Sequence, residues 1–452
     1  MTESRASQLT TLTAEMLHER GFDSLLDEAT PEPRAHFGGL SFDLSCTDSP
    51  YAGNWKVPQY RTERVLGERA QRLGATILRA HELTSITASS DQVSCNVRGP
   101  GGNLRLLARY LVGCDGATSS VRRQCGFAAS TTSATKELLR ADIIGLQIPD
   151  RRFDRLDGGF AVASTRDGVT RVMVHAFGQQ VHERATAPEF PEVVSLWRQV
   201  TGEDISGGTA IWVDAFDNST GLVDSYRRGS VFVAGDAAHW HMPIGGQALN
   251  VGLQDAVNLG WKLAAAVNGW APPGLLDSYH QERHPVAARV LRYVAAQEML
   301  MLGSSEIGPL RALFSEIIGL GQARGHLARV VSGLDDRYAN GTEDSSLAGG
   351  RLAGRRLAGL RLRDESGTAM TAGDLVGTEP VVLVFEPPAN GAAGGIDLSS
   401  GFQIRTIHAI PEGGATLGAT RILMRPDGYV IWAGDDPAEL RKVIDQWLGG
   451  QL

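Results

Sequence analysis

The sequence has 452 residues, of which 42% are hydrophobic and 21% charged, a balance typical of a soluble globular protein with two or three domains. Its net charge of −8 argues against a nucleic-acid-binding protein, because neutralising phosphates needs clustered lysine and arginine. No apolar run is long enough to span a bilayer, the polar N-terminus lacks the form of a signal peptide, and the four cysteines form no Cys-x-x-Cys pair, so we expect a cytoplasmic protein with reduced thiols.

The N-terminal third is predicted to contain helices and then strands. Helical periodicity covers residues 8–27, with Gly21 as a C-terminal cap, and residues 62–73. Apolar residues alternate through 75–99, and Gly-Pro-Gly-Gly-Asn at 99–103 then turns the chain. We interpret this turn as a hairpin, since it lacks the strand-to-helix setting of a phosphate-binding loop.

The middle of the chain is predicted to form an antiparallel sheet, and the segment after it a group of helices. Residues 138–211 include two strands joined by a turn ending at Asp167–Gly168, and a short helix follows near residue 190. Helical periodicity dominates after residue 263, and we expect Pro285 to kink the first of these helices.

The last hundred residues are predicted to form a separate unit behind a linker at 335–352. This unit contains a buried strand at 380–387, a hairpin around 426–428 and a closing helix at 437–449. The order of strand, hairpin and helix is that of a small independent domain.

The first chemically informative stretch lies at 110–123. An apolar strand leads into Gly113, Asp115 and Gly116, and Arg122 and Arg123 follow closely. Glycine lets a backbone approach a ligand, a carboxylate accepts hydrogen bonds from sugar hydroxyls, and arginine binds phosphate with two N–H groups at once. An acidic turn followed by a surface basic pair explains this stretch equally well when it is taken alone.

The second informative stretch lies at 230–263. An apolar strand breaks at Gly235–Asp236, a loop with two histidines, Pro243 and the Gly245–Gly246 pair follows, and a helix then begins. The aspartate is placed to accept from a ribityl or ribose chain, and the helix directs its positive N-terminus at the loop. A positive helix end beside the loop suits a cofactor ring that becomes anionic on reduction. The alternative is a purely structural loop.

The two patterns, Asp-Gly-x-x-Ser-x-Val-Arg and Gly-Asp-Ala-Ala-His-x-x-x-Pro-x-Gly-Gly-Gln-x-x-Asn, resemble class A flavoprotein aromatic hydroxylases, the para-hydroxybenzoate hydroxylase-like FAD monooxygenases. The match is closest to the branch that hydroxylates angucycline- and anthracycline-type polyketides. Glu-Ser-Arg-Ala at 3–6 and the segments 57–66, 278–287 and 425–428 also resemble that branch. The resemblance implies an α/β FAD-binding fold, an antiparallel-sheet substrate domain and a thioredoxin-like C-terminal domain without Cys-x-x-Cys.

The motifs and the resemblance together give the expected site residues. In the family, the aspartates matched by Asp115 and Asp236 contact FAD, an arginine matched by Arg5 reaches the pyrophosphate, and a glutamine matched by Gln59 contacts the cofactor. The expected FAD-binding set is Arg5, Gln59, Asp115, Gly116, Arg122, Gly235, Asp236, Pro243, Gly245, Gly246, Gln247, Ala248, Leu249 and Asn250. Pro243, His239 and His241 are the candidate catalytic residues, and no metal site is expected. Ala248–Leu249 stands where the family more often has Gly-Met, which we expect to weaken flavin contact.

The resemblance also predicts domain boundaries and a gap. We expect the FAD-binding domain at 1–137 and 224–334, the substrate domain at 138–223, the linker at 335–352 and the thioredoxin-like domain at 353–452. The chain begins where the family's second strand has ended, so the first βαβ unit and its Gly-x-Gly-x-x-Gly loop are expected to be missing. Unpaired strand edges would then destabilise that face. A misassigned start, a natural truncation and a partner chain that completes the sheet are the explanations.

The predicted function is FAD- and NADPH-dependent hydroxylation of an aromatic polyketide, in which a C4a-hydroperoxyflavin transfers OH to an activated ring. The first alternative is a flavin-independent homologue that catalyses cyclisation, dehydration or isomerisation with His239, His241, Asp236 or Tyr110 as acid or base. A metalloenzyme using His239 and His241 is a weaker hypothesis, because no third ligand stands at suitable spacing. A non-catalytic partner protein and a homodimer remain open.

Overall fold

The computed structural model describes residues 6, 8–27, 29–89, 91–182, 184, 186–338, 352–385, 396–397, 403–414 and 417–449. Its helices are α1 Thr11–His18, α2 Asp23–Leu26, α3 Gln59–Arg72, α4 Ser120–Gln124, α5 Phe190–Thr201, α6 Gln247–Asn268, α7 Ser278–Leu302, α8 Gly308–Gly319, α9 Gly321–Ser332 and α10 Pro437–Leu448. In the described part of the chain, no helix is both long and apolar enough to cross a membrane.

The strands up to residue 217 include those of the middle sheet, β10 to β14. They are β1 Pro31–Glu32, β2 Arg34–Phe37, β3 Leu40–Asp43, β4 Asn54–Trp55, β5 Glu82–Ala88, β6 Val93–Gly99, β7 Gly102–Ala108, β8 Leu111–Gly113, β9 Ala129–Thr132, β10 Glu137–Ile144, β11 Arg151–Leu156, β12 Gly159–Arg166, β13 Val169–Ala176 and β14 Thr209–Asp217.

The remaining strands are short, except in the C-terminal sheet. They are β15 Thr220–Val223, β16 Arg227–Arg228, β17 Val231–Val233, β18 His239–Trp240, β19 Arg361–Asp364, β20 Ala369–Thr371, β21 Val381–Val384, β22 Ile396–Asp397, β23 Gln403–Pro411, β24 Arg421–Met424 and β25 Val430–Gly434.

The N-terminal helices match the prediction with one interruption. The predicted helical segment at 8–27 is divided into α1 and α2, because Gly21 adopts a left-handed φ of +72° that ends the first helix. Helix α3 begins three residues before the predicted start. The glycine-rich segment at 99–103 is the hairpin between β6 and β7, with Gly99 opposite Gly102, as predicted.

Two small sheets carry the chemically informative stretches. Strands β8 and β17 pair in parallel, so that Gly113 and Val233 end side by side and both motif aspartates follow the same sheet edge. Among the described residues, β8 lies at the outer edge of its sheet, in the order β16-β17-β8. A second sheet, β18-β15-β9, places Trp240 opposite Gly221.

The middle sheet has five antiparallel strands in the order β11-β12-β13-β10-β14, as the alternation predicted. Residues 167–168 form the turn between β12 and β13. Helix α5 covers one face and buries Val193, Trp197 and Val200 against Val172 and other core residues of the sheet. Because side chains alternate along a strand, Leu138, Arg140 and their cross-strand neighbours project from the opposite face.

The long helices depart from the prediction at one point. Helix α7 continues through Pro285. The helical periodicity predicted after residue 263 continues through two further helices, α8 and α9, which are separate because Leu320 between two glycines is extended, with φ −74° and ψ +130°.

The C-terminal sheet has the order β20-β19-β23-β21-β24-β25, and α10 packs on it. The predicted buried strand and hairpin are β21 and β24–β25. Most of the predicted linker at 335–352 lies outside the described residues. Arg425 of the hairpin turn forms a fully buried ion pair with Glu282 of α7, with Nη1 and Oε1 2.5 Å apart, and Lys262 of α6 bonds the same carboxylate at 2.8 Å. This buried network fixes the C-terminal unit on the long helices.

Candidate active site

A cavity of about 360 Å³ lies between the five-stranded sheet and the loop that precedes α6. The loop contributes residues 242–246, Ala248 and Leu249, the β2–β3 hairpin contributes His36, and α7 closes one side with Met301 and Leu302. The sheet contributes alternate side chains, so that its face forms the roof of the cavity. The loop of the second motif and the antiparallel sheet therefore line the same cavity.

A buried aspartate anchors the Gly235–Asp236 turn below the cavity. Asp255 of α6 accepts from the Gly235 N–H at 3.0 Å and from Nε2 of His239 at 2.7 Å with the same oxygen. Nε of Arg283 donates to its other oxygen at 2.7 Å. Burial raises the pKa of Asp255, but the charges and hydrogen bonds of His239 and Arg283 lower it by more, so the carboxyl is held ionised.

The carboxylate of Asp236 stands exposed at this turn, where it accepts no hydrogen bond from the described residues. Partial burial raises the pKa of its carboxyl, while the nearby His239 lowers it less. Since β17 ends three residues before it, Asp236 offers an acceptor beyond the carboxyl end of a strand, the position where open α/β folds bind ligands.

The loop from Pro243 to Asn250 leaves backbone donors at the cavity. Gly245 and Gly246 both adopt a left-handed φ of +68°, and no side chain caps the N-terminus of α6. Asn250 holds the loop in place, because its Nδ2 donates to the Gly246 carbonyl at 2.7 Å and its Oδ1 accepts from the Thr10 N–H at 2.9 Å. Gln247 does not line the cavity and donates to the Val331 carbonyl at 2.9 Å. An uncapped helix start of this kind binds an anionic group.

The first motif is folded into a helix cap beside this turn. The carboxylate of Asp115 accepts from the Ser120 and Val121 N–H groups at 2.7 and 3.0 Å and from the Ser119 hydroxyl, at the start of α4. Gly116 has φ +81° and an open Cβ position. The cofactor contact expected of Asp115 stays a prediction, and capping already uses several of its acceptor sites.

Arg122 turns toward the second motif. It donates to the Ala237 carbonyl at 3.0 Å, and its guanidinium lies 4.3 Å from the centre of the Trp240 ring. Gln59, at the start of α3, accepts from the Ala6 N–H at 3.2 Å and donates to Glu63 at 2.7 Å. Arg5 lies outside the described residues.

The two candidate catalytic histidines have different surroundings. His239 is 2% exposed, pairs with Asp255 and does not line the cavity, which gives it a structural partner. Nδ1 of His241 bonds the Met242 carbonyl at 2.8 Å, and its Nε2 is buried with no hydrogen-bond partner. Burial lowers the pKa of His241 to about 4. Pro243 lines the cavity, and the catalytic roles of all three residues stay predictions.

The sequence reasoning missed His36, the histidine that lines the cavity. Nδ1 of His36 accepts from the Gly39 N–H at 3.3 Å, and its ring lies 4.0 Å from that of Phe153. Burial lowers the pKa of His36 to about 4, so the imidazole is neutral and Nε2 carries its proton. It also missed Lys56 and the arginines of the sheet, although the alternation along β10 and β13 placed Arg140 and Arg171 on the face away from α5.

Comparison with known proteins links this site to flavin chemistry. A family model described as an FAD binding domain matches residues 1–294, and one described as the C-terminal region of aromatic-ring hydroxylases matches residues 350–450. Rifampicin monooxygenase of Streptomyces venezuelae is 34% identical over 99% of this chain and 91% of its own length. Dialkyldecalin synthase of Streptomyces rugosporus is 32% identical over 99% and 91%. The crystal structure of CabE, an aromatic hydroxylase from angucycline biosynthesis, superimposes with a TM-score of 0.91 and 37% identity over 100% of this chain and 92% of that one.

Proposed function

The chain belongs to the family of FAD-binding aromatic-ring hydroxylases, and from this membership we propose that it is an FAD- and NADPH-dependent monooxygenase that hydroxylates an aromatic polyketide. The observation that carries the proposal is the position of the cavity. It is bounded on one side by the glycine loop and uncapped start of α6, and on the other by an apolar sheet face.

The residues at the loop fit the cofactor's flavin half. The exposed Asp236 carboxylate would accept from the ribityl hydroxyls, and the first N–H groups of α6 would face the end of the ring that becomes anionic on reduction. Bound FAD supplies the oxygen-transfer chemistry, whereas this chain's residues bind, orient and exclude water. Leu138, Phe160 and Met173 of the roof would hold a flat aromatic substrate against the ring by apolar contact.

The chain's own donors would orient the substrate. Nε2–H of His36 would donate to a phenol or ketone oxygen, since its other ring nitrogen already accepts from Gly39. His241 does not line the cavity, but its buried Nε2, without a partner among the described residues, is an acceptor two residues before Pro243. Neither side chain carries a charge near neutral pH, which keeps the apolar part of the cavity free of cations.

The proposal extends to the cofactor's adenosine half and to the domain boundaries. The sequence contains no Gly-x-Gly-x-x-Gly loop, β8 lies at a sheet edge, and β7 exposes Leu104, Leu106 and Leu107. These features support this face, at β7 and β8, as the place where the adenosine half of the cofactor binds. We propose the same domain boundaries as the sequence predicts: FAD-binding regions at 1–137 and 224–334, a substrate domain at 138–223 and a thioredoxin-like unit at 353–452.

A second candidate function is a ring-forming reaction without oxidation. It is supported by the similarity to dialkyldecalin synthase, whose name describes the making of a carbon ring system. The same cavity could orient a folded polyene without transferring oxygen. Conversion of substrate in the absence of NADPH would favour this candidate.

The test compares flavin retention and turnover. The chain and the variant Asp236→Ala are incubated with FAD and desalted, and the visible absorption bands are measured; Asp224→Ala, at a nearby exposed position, is the matched control. We expect the chain and the control to retain flavin and to add one oxygen atom to a polyphenolic polyketide when NADPH is supplied. Retention of flavin by all three proteins would contradict the placement of Asp236, and flavin binding without any NADPH oxidation would contradict the monooxygenase.

A further inference from the structure

The cavity is apolar near the glycine loop and basic at its far end. Leu138, Phe160 and Met173 line the first part, whereas Arg140 and Arg171 of the same sheet face line the second. Arg34, Lys56 and Arg152 of β11 also line the cavity, and Glu32 is the one acidic residue among the lining residues that the structure describes. Asp142 and Asp214, which pair with the two sheet arginines, are not part of the lining.

Arg140 is held rigidly at this end. Its guanidinium lies 4.5 Å from the centre of the Trp212 ring and 5.3 Å from that of Phe216, and Nη2 donates to Asp214 at 2.9 Å. Arg171 is fixed against the same Trp212 ring and bonds both oxygens of Asp142 at 2.7 Å. A stacked guanidinium has already lost much of its rotational freedom, so that little more is lost when it binds an oxygen.

One donor of Arg140 is unused. The residue is 7% exposed, and its Nε–H is buried with no hydrogen-bond partner in the described residues. A buried N–H of a charged group that lacks an acceptor costs free energy, because it has lost its water and gained nothing. An acceptor supplied by a ligand in the cavity would remove that cost, and an ionised oxygen would do so best.

We propose that Arg140 is a specificity-determining residue that selects substrates bearing an ionised oxygen, as phenolate, enolate or carboxylate, at the end remote from the glycine loop. The inference rests on the proposed function, since it takes this cavity to be the substrate site. It adds to that function a requirement on the substrate: a polycyclic framework in the apolar part, with an acidic oxygen that reaches the basic part. A neutral oxygen at the same place would accept a weaker hydrogen bond from the Arg140 Nε–H, and a polycycle without an oxygen there would leave this N–H unpaired.

The first test uses a pair of flat probes that differ in charge and hardly in shape. Binding of anthraquinone-2-carboxylate and anthraquinone-2-carboxamide to the chain is measured by calorimetry. We expect the carboxylate to bind about 10–100-fold more tightly, the value of one to two charge-assisted hydrogen bonds. Arg140→Gln should abolish this preference by weakening the carboxylate alone, and Arg140→Lys should restore part of it through charge without the planar fork.

Arg151→Gln is the matched control. Arg151 lies on β11 of the same sheet, pairs with Glu203 at 2.6 Å and also has a buried Nε without a partner, but it does not line the cavity. Its substitution should leave the preference unchanged. If Arg140→Gln fails to fold because Asp214 loses its partner, the double variant Arg140→Gln with Asp214→Asn removes both charges and serves in its place.

A second pair of probes separates the sources of the charge. Alizarin, at a pH where its absorption shows the phenolate, is compared with its dimethyl ether. Loss of preference in both pairs on substitution of Arg140 means that any ionised oxygen is accepted, and loss in one pair identifies the accepted group. Equal affinities of the wild-type chain within both pairs, or preferences that survive Arg140→Gln, would overturn the inference. None of these measurements needs flavin, so a failure of the monooxygenase proposal would be seen separately.

Discussion

Arg283 and Asp255 form an ion pair in which both side chains are fully buried, with Nε of the arginine 2.7 Å from Oδ1 of the aspartate. The pair connects α7 to the turn that carries Asp236, because the second oxygen of Asp255 binds the Gly235 N–H and His239. The position of the exposed Asp236 carboxylate therefore depends on a charge pair that no solvent reaches.

Breaking this pair should destabilise the protein strongly. Arg283→Met leaves the Asp255 charge buried with only His239 to balance it, and removal of one member of a buried pair costs about 3–5 kcal/mol. Urea denaturation should show this loss in the free energy of unfolding. Arg227→Gln, which breaks the exposed pair with Asp277, should cost less than about 1 kcal/mol. Equal effects of the two substitutions would contradict the role assigned to Arg283.

A methyl group at Gly221 should disturb the Trp240 ring. A Cβ at this position would lie 2.0 Å from Cζ2 of Trp240, which also stacks against Arg122. We expect Gly221→Ala to cost about 1–3 kcal/mol by overpacking. Gly260→Ala, in the middle of α6 with open space around it, should instead stabilise the protein by about 0.5–1 kcal/mol. Thermal unfolding of both variants should show a lower melting temperature for Gly221→Ala and a higher one for Gly260→Ala. A stabilising Gly221→Ala would contradict the prediction and show that the Trp240 ring moves aside freely.

Glu15 should make stability fall as pH rises. Burial raises the pKa of its carboxyl from 4.5 to about 7, although Arg356 and a hydrogen bond from Ser49 lower it in part. When the pKa of a group is higher in the folded than in the unfolded state, its contribution to stability is fully present below the unfolded pKa. This contribution is lost as the pH rises through the folded pKa. The free energy of unfolding of Glu15→Gln minus that of the wild type should therefore increase between pH 4.5 and 7, by at most about 1.4 kcal/mol per pH unit, and then level off.

The matched control for this pH series is Glu68→Gln, at an exposed position of α3. Its difference from the wild type should stay flat over the same range. A flat difference for Glu15→Gln as well would mean that Arg356 keeps this carboxylate ionised.

Ala248 should limit the affinity for flavin. It lines the cavity in the first turn of α6, where a methyl group reduces the space beside the loop. We expect Ala248→Gly to raise FAD affinity about fivefold, as relief of roughly 1 kcal/mol of crowding. Ala264→Gly, at an exposed position of the same helix, gives the cost of glycine in a helix without touching the cavity. FAD titration monitored by absorption compares the affinities of the two variants. An unchanged affinity in Ala248→Gly would mean that the flavin ring does not lie beside residue 248.

Much of the fold follows from local sequence patterns. The β6–β7 hairpin, the β12–β13 turn and α5 were predicted because glycine turns and apolar periodicity are local signals. The separation of α8 from α9 was missed, since Leu320 itself continues the apolar pattern and only its extended backbone ends the helix. A break of one residue between two helices leaves the apolar pattern of the sequence unchanged, so this pattern does not reveal it.

The site was predicted less completely than the fold. The sequence singled out the glycine loop, whose residues are consecutive and which lines the cavity, whereas the role of Asp236 stays a prediction. It did not identify His36 or Arg140, because these side chains reach the cavity from a hairpin and a sheet that are far from the loop in sequence. Nor could spacing reveal that Asp115 caps α4, since that depends on where two N–H groups and the Ser119 hydroxyl point.

Two consecutive residues of α7 serve different neighbours: Glu282 binds Arg425 of the C-terminal hairpin, and Arg283 binds Asp255 below the loop. The last hundred residues are therefore not an interchangeable cassette. A chimera that replaced them with a segment lacking a cation at position 425 would leave the buried Glu282 with Lys262 and Asn258. This loss would occur one residue from Arg283, which holds the Asp236 turn through Asp255. Recombination between relatives should preserve function only when the donor segment brings its own arginine at this turn.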